Sequence, residues 1–152
     1  MKNFIFTSLF IISFSANAQE LKWESDVNIA SEMAIKTKKP MLFFFTGSDW
    51  CGWCMKLQND VFNKPEFIRW ANENVVLVEL DCPKRKLLSL ELSKQNKELQ
   101  QMFEVRGYPT VWFVLPSKIK NKINFQKLGS TGYDSNSENW INNSNLILKN
   151  KK

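Results

Sequence analysis

Apolar residues along the chain fall into two rhythms, one of three to four residues and one of unbroken runs. From Asp26 to Lys38, Val27, Ala30, Met33 and Ala34 recur on one face, which predicts an amphipathic helix. After Pro40, Met41-Leu42-Phe43-Phe44-Phe45-Thr46 is an apolar run, as a central strand buried on both faces requires. A further helix is predicted to start at or near Cys51. Asn63 is placed to cap the next one, with Pro65 and Glu66 in its first turn and Phe67, Ile68 and Trp70 on its apolar side. Val75 to Leu80 reads as a second buried strand, rich in β-branched residues.

Between Pro83 and Phe103, Leu88, Leu92, Leu99, Met102 and Phe103 share a face at helical spacing and Gln95 interrupts it, so one helix or a broken pair is expected. Val111 to Leu115 is predicted as a third strand closed by Pro116, and residues 117–122 as a polar turn. Ile123 to Leu128 follows as an alternating fourth strand, and Gly129 and Gly132 bracket a turn. Ser135-Asn136-Ser137-Glu138 fits a capping box, and a last helix runs to about Lys149 with Trp140, Ile141, Ser144, Ile147 and Leu148 inward. The first two strands, joined through helices, call for parallel pairing by a right-handed crossover. The short polar turn calls for an antiparallel hairpin. The predicted class is α/β, a mixed central sheet with helices on both faces.

Upstream of this domain the pattern changes. Lys2 is followed by an uncharged stretch from Phe4 to Phe14 and by Ala16-Asn17-Ala18, the layout of a cleavable secretory signal over residues 1–18. The stretch is shorter than the ~18 apolar residues a membrane span needs. Residues 19–152 are then expected to form one exported domain, periplasmic or secreted. The net charge of +6 falls to +5 once Lys2 is removed, and the lysines are scattered, so nucleic acid is not an expected partner.

The chain has three cysteines and no histidine. Three cysteines cannot staple a small scaffold, so the apolar core must carry stability. Structural zinc wants four N or S ligands, and haem attachment wants His after the second cysteine, where Met55 stands. No metal site is therefore expected. Trp50-Cys51-Gly52-Trp53-Cys54 is the informative motif. A Cys-x-x-Cys pair between a buried strand and the first turn of a helix suits disulfide exchange. The helix start offers free N–H groups and partial positive charge to a thiolate, and the thiolate is the attacking species.

The strand leading into that motif, the run Arg106-Gly107-Tyr108-Pro109-Thr110 before the third strand, and the closing hairpin and helix together resemble the thioredoxin superfamily over residues 22–148, and within it the exported bacterial thioredoxin-like proteins. The resemblance implies a thioredoxin fold with an added N-terminal helix and a helical insertion, residues 84–101, before a cis-proline loop. It also implies Cys51 as nucleophile with its sulfur exposed, Cys54 as buried resolving thiol, a Cys51–Cys54 disulfide, and a cis-proline at Pro109. Trp50, Gly52, Trp53, Tyr108, Pro109 and Thr110 would position the substrate. No cofactor is implied. Expected partners are exported proteins with cysteines and a redox partner such as a membrane electron donor, for a monomeric, reductive oxidoreductase; a binding module with a static disulfide is the competing class. Where thioredoxins carry a buried Asp on the strand before the motif, counting back gives Phe45. Asp49 would raise the Cys51 pKa if close, and Lys56 would lower it. Cys82 reads as a small buried hydrophobe.

Overall fold

The computed structural model describes residues 20–151, so the proposed signal segment lies outside the described residues. Five strands form one sheet: β1 (Trp23–Glu24), β2 (Met41–Thr46), β3 (Val76–Asp81), β4 (Thr110–Ile119) and β5 (Lys122–Thr131). Their order is β1-β3-β2-β4-β5. β3 runs parallel to both β1 and β2, whereas β4 is antiparallel to β2 and to β5. The five α-helices are α1 (Val27–Thr37), α2 (Gly52–Leu57), α3 (Pro65–Asn74), α4 (Leu90–Met102) and α5 (Ser137–Leu148); a π-helical turn, Gln58–Phe62, extends α2.

Strand alternation divides the core in two. Leu42 and Phe44 of β2 face one layer, with Leu57, Phe62, Phe67, Trp70 and Trp140 from α2, the π turn, α3 and α5. Met41, Phe43 and Phe45 face the other, against α1 and α4. Every side chain of β2 is therefore buried, at about 1.5–3 kcal/mol of transfer free energy for each phenylalanine. This anchors the strand that ends just before the cysteine motif.

Several local expectations are corrected. The N-cap of α3 is Lys64, not Asn63, with Pro65 at the first helical position. Residues 84–88 are not helical. α4 begins after Ser89, whose hydroxyl accepts the Leu92 N–H at 3.2 Å, so Leu88 precedes the helix and Met102 faces solvent. Pro116 does not end β4: β2 covers β4 only as far as Val114, and beyond it the missing proline N–H costs no sheet bond on that side. The hairpin turn is tighter than predicted, with Lys120 and Asn121 both at positive φ (47° and 63°) and flanked by the pair Ile119↔Lys122. Gly129 lies within β5, at a register shift that leaves Leu128 without an opposite residue; a Cβ there would approach Ile147 Cγ2 to 2.9 Å. The cap of α5 is Asn136, which accepts from the Asn139 N–H at 2.8 Å.

Candidate functional site

β2 delivers the chain to a turn at Gly47, whose carbonyl accepts from the N–H groups of Trp50 (3.1 Å) and Cys51 (2.8 Å). Only glycine fits here, because a Cβ would lie 2.4 Å from the Trp50 indole. Cys51 is the N-cap of α2, with extended φ/ψ of −88° and 95°. Its Sγ accepts the Cys54 N–H at 3.2 Å, so the sulfur occupies the position of a capping oxygen at the positive end of the helix. Cys51 and Cys54 are joined as a disulfide with their Cα atoms 5.3 Å apart. Cys51 was expected to expose its sulfur, but the residue is only 5% exposed, against 1% for Cys54.

Two tryptophans flank the pair, each held by a separate cluster. Trp50 donates from Nε1 to the Cys82 carbonyl at 2.8 Å, meets Tyr108 edge-on at 5.5 Å between centroids, and carries Lys84 Nζ 4.1 Å from its ring centre. Trp53, 58% exposed, packs on Tyr133 at 5.1 Å. The Tyr133 hydroxyl donates to Asp60 at 2.8 Å, and Asp60 pairs with Lys56 at 3.4 Å. The Tyr133 hydrogen bond, then the Lys56 contact, hold the Asp60 carboxyl below its ordinary range, while Asp60 raises Lys56. The Lys56 charge is thus committed to Asp60.

Asp49 is committed as well. Its carboxylate accepts the backbone N–H groups of Lys84 (2.9 Å), Arg85 (2.6 Å) and Lys86 (3.0 Å), and these bonds depress its pKa, that from Lys84 most.

The Tyr108–Pro109 peptide bond is cis. Thr110 follows as the first residue of β4, opposite Phe45, and its hydroxyl donates to the Gly107 carbonyl at 2.8 Å. Gly132 borders this loop, since a Cβ there would lie 3.7 Å from the Pro109 carbonyl oxygen. Around Gly52 a Cβ would meet nothing within 4 Å, so no steric constraint requires glycine at that position.

A family model described as a thioredoxin-like domain matches residues 27–117. The chain belongs to this thioredoxin-like family. It is 34% identical over 119 residues to a Chlamydia pneumoniae protein named disulfide bond reductase DsbH, across 78% of this chain and 71% of that one. The thioredoxin-related protein DsbJ of the same organism is 29% identical over 121 residues; the match takes in 80% of this chain but only 34% of DsbJ. A solved structure titled DsbH oxidoreductase superposes with a TM-score of 0.78 at 27% identity, covering 94% of this chain and 95% of that one. Family membership and the Cys-x-x-Cys pair at 51 and 54 make this chain a disulfide oxidoreductase.

Where the family carries its buried acid, this chain has Phe45. Phe45 faces the layer of α1 and α4, while Leu42 and Phe44 are the β2 side chains that share a core with Cys51 and Cys54. The acids on that face of β3 are Glu79, the register partner of Phe44 and two residues from Leu77 of the same layer, and Asp81, whose carboxylate accepts the Ser48 N–H at 2.8 Å and its hydroxyl at 2.6 Å. Burial, then the nearby Asp81, raises the Glu79 carboxyl. The sequence reading also missed Tyr133 and Asp60, which reach the motif from the segment after β5 and from the π turn. Cys82 ends beside Tyr108 and Gln100; burial raises its thiol pKa, and Cys82 in turn adds to the burial that pushes the Tyr108 hydroxyl far up. A thiol held neutral in this way is a poor nucleophile.

Proposed function

We propose that this chain is an exported reductant of protein disulfides, with residues 1–18 as its cleaved signal and residues 19–152 as the working domain. Reduced Cys51, as thiolate, attacks one sulfur of a substrate disulfide. The substrate S–S bond breaks, a Cys51–substrate bond forms, and the leaving sulfur takes a proton. Cys54 then attacks the Cys51 sulfur, releases the substrate as a dithiol and closes the Cys51–Cys54 bond. Two electrons pass to the substrate, and a separate dithiol partner, such as a membrane electron donor, restores the pair.

The observation that carries the reading is the Cys51 sulfur at the start of α2, within 3.2 Å of the Cys54 N–H. That N–H would bear on the thiolate after reduction. The reductive direction is supported by what surrounds the sulfur. Lys56 is paired with Asp60, Lys84 lies over the Trp50 ring, and the chain has no histidine. A thiolate helped mainly by a short helix is only modestly stabilised, which favours the oxidised pair and makes the reduced one a donor. Trp50, Gly52, Trp53, Tyr108, Pro109 and Thr110 are proposed to line the approach, with the cis-proline loop offering backbone for strand-like pairing.

Trapping tests the roles. Cys54→Ser is expected to accumulate a mixed disulfide between Cys51 and a model protein disulfide, and Cys51→Ser to form none. An equal yield of adducts from both variants would contradict the assignment.

A further inference from the structure

We propose that the segment from Lys84 to Leu90 selects the protein substrate, by taking an extended stretch of acidic and apolar residues that flanks the partner's disulfide. This rests on the exchange chemistry proposed above and names the partner's surface.

The segment is fixed to the site. The Asp49 carboxylate, two residues before Cys51, holds the N–H groups of Lys84, Arg85 and Lys86. Trp50, next to Cys51, holds the Cys82 carbonyl just upstream and lies under the Lys84 ammonium. A polypeptide reaching Cys51 along the Trp50 side therefore meets this segment.

Its side chains are unusual for a solvated loop. Leu87 is 95% exposed and Leu90 85% exposed. Single exposed leucines are ordinary, but these two follow three consecutive cations, Lys84, Arg85 and Lys86. Among the described residues none of the three forms an ion pair. A recess of about 340 Å³ opens beside them, lined by Lys84, Lys86, Leu87 and Lys97 and also by Asp81, whose carboxylate is taken up by Ser48. Cations outside any salt bridge, beside exposed apolar groups, are complementary to a partner segment that alternates acidic and apolar residues. Such a segment would bury the leucines and add carboxylates to those of Asp49 and Glu79, which already act on Arg85 and Lys86, and the charge term would speed encounter at low salt.

Two disulfide-closed synthetic peptides test this, one with a Glu-Leu-Glu-Leu flank and one with a Lys-Ser-Lys-Ser flank, each mixed with the reduced protein. The acidic-apolar peptide should be reduced roughly tenfold faster, with the advantage shrinking as salt rises. The triple variant Arg85→Glu, Leu87→Ser, Leu90→Ser changes exposed side chains only, and should lose that preference. Asp49→Asn, which loosens the segment but leaves those side chains, should weaken it. Equal rates for both peptides, or a preference retained in the triple variant, would overturn the recognition role and leave the exchange chemistry standing. If neither peptide is reduced, the exchange proposal fails and this inference falls with it.

Discussion

Asp49 lies two residues from Cys51, yet its carboxylate is turned to the backbone of residues 84–86. Sequence proximity suggested an effect on the cysteine, and the fold assigns the charge to a loop instead. Three accepted N–H bonds depress the Asp49 pKa below the ordinary 3.8. The sign follows: a group whose folded pKa is lowered contributes stability that is fully present above its unfolded pKa and lost as pH falls through the folded value. The latch should therefore hold throughout the neutral and mildly acidic range and release only below the usual carboxylate range. Amide exchange at Lys84, Arg85 and Lys86 measures it. Protection should persist at pH 5 and vanish at strongly acid pH, whereas Asp49→Asn should exchange faster at both. Unchanged exchange in the variant would show that the carboxylate does not hold the loop. Phe45 stands at the counted position, and its side chain lies in the layer of α1 and α4 rather than in the one that holds Cys51 and Cys54. Counting along the chain fixes a position but not a face.

At the scale of elements, the strands and helices with strong periodicity were legible because burial itself writes the pattern. β2 coincides with its apolar run, and α1 and α5 present the predicted faces. α4 was harder, since polar residues do part of its packing. Gln95, which looked like an interruption, accepts the Val27 N–H at 2.9 Å and donates to the Ser25 carbonyl at 2.8 Å, tying α4 to the start of α1. Asn96, buried, donates to the Asp81 carbonyl at 2.8 Å at the end of β3. Such bonds join residues far apart in sequence, so no local window contains them. Asn96→Ala should cost about 1–3 kcal/mol by leaving that carbonyl unsatisfied, read as a lower urea midpoint with an unchanged slope. A midpoint within error of the parent would mean that water replaces the side chain without loss.

For the whole molecule, the mixed sheet with helices on both faces and its single cysteine pair could be read from the chain, because the order of elements leaves few topologies open. β1 could not, since two residues show no period. The clusters around Trp50 and Trp53 could not either, because they are assembled from the segments after β3 and β5, the cis-proline loop and the π turn. The resulting site is a shielded disulfide at a helix start, with Lys56 paired to Asp60 and Lys84 over the Trp50 ring, which is the basis for a reducing pair. The direct measurement is the Cys51–Cys54 reduction potential of residues 19–152, titrated against dithiothreitol and glutathione buffers and followed by tryptophan fluorescence. A value near about −270 mV is the predicted result. A value between about −180 and −120 mV would contradict the reductive direction. A pair that stays oxidised at about −300 mV and below would contradict exchange itself and leave Cys51–Cys54 as a structural bond.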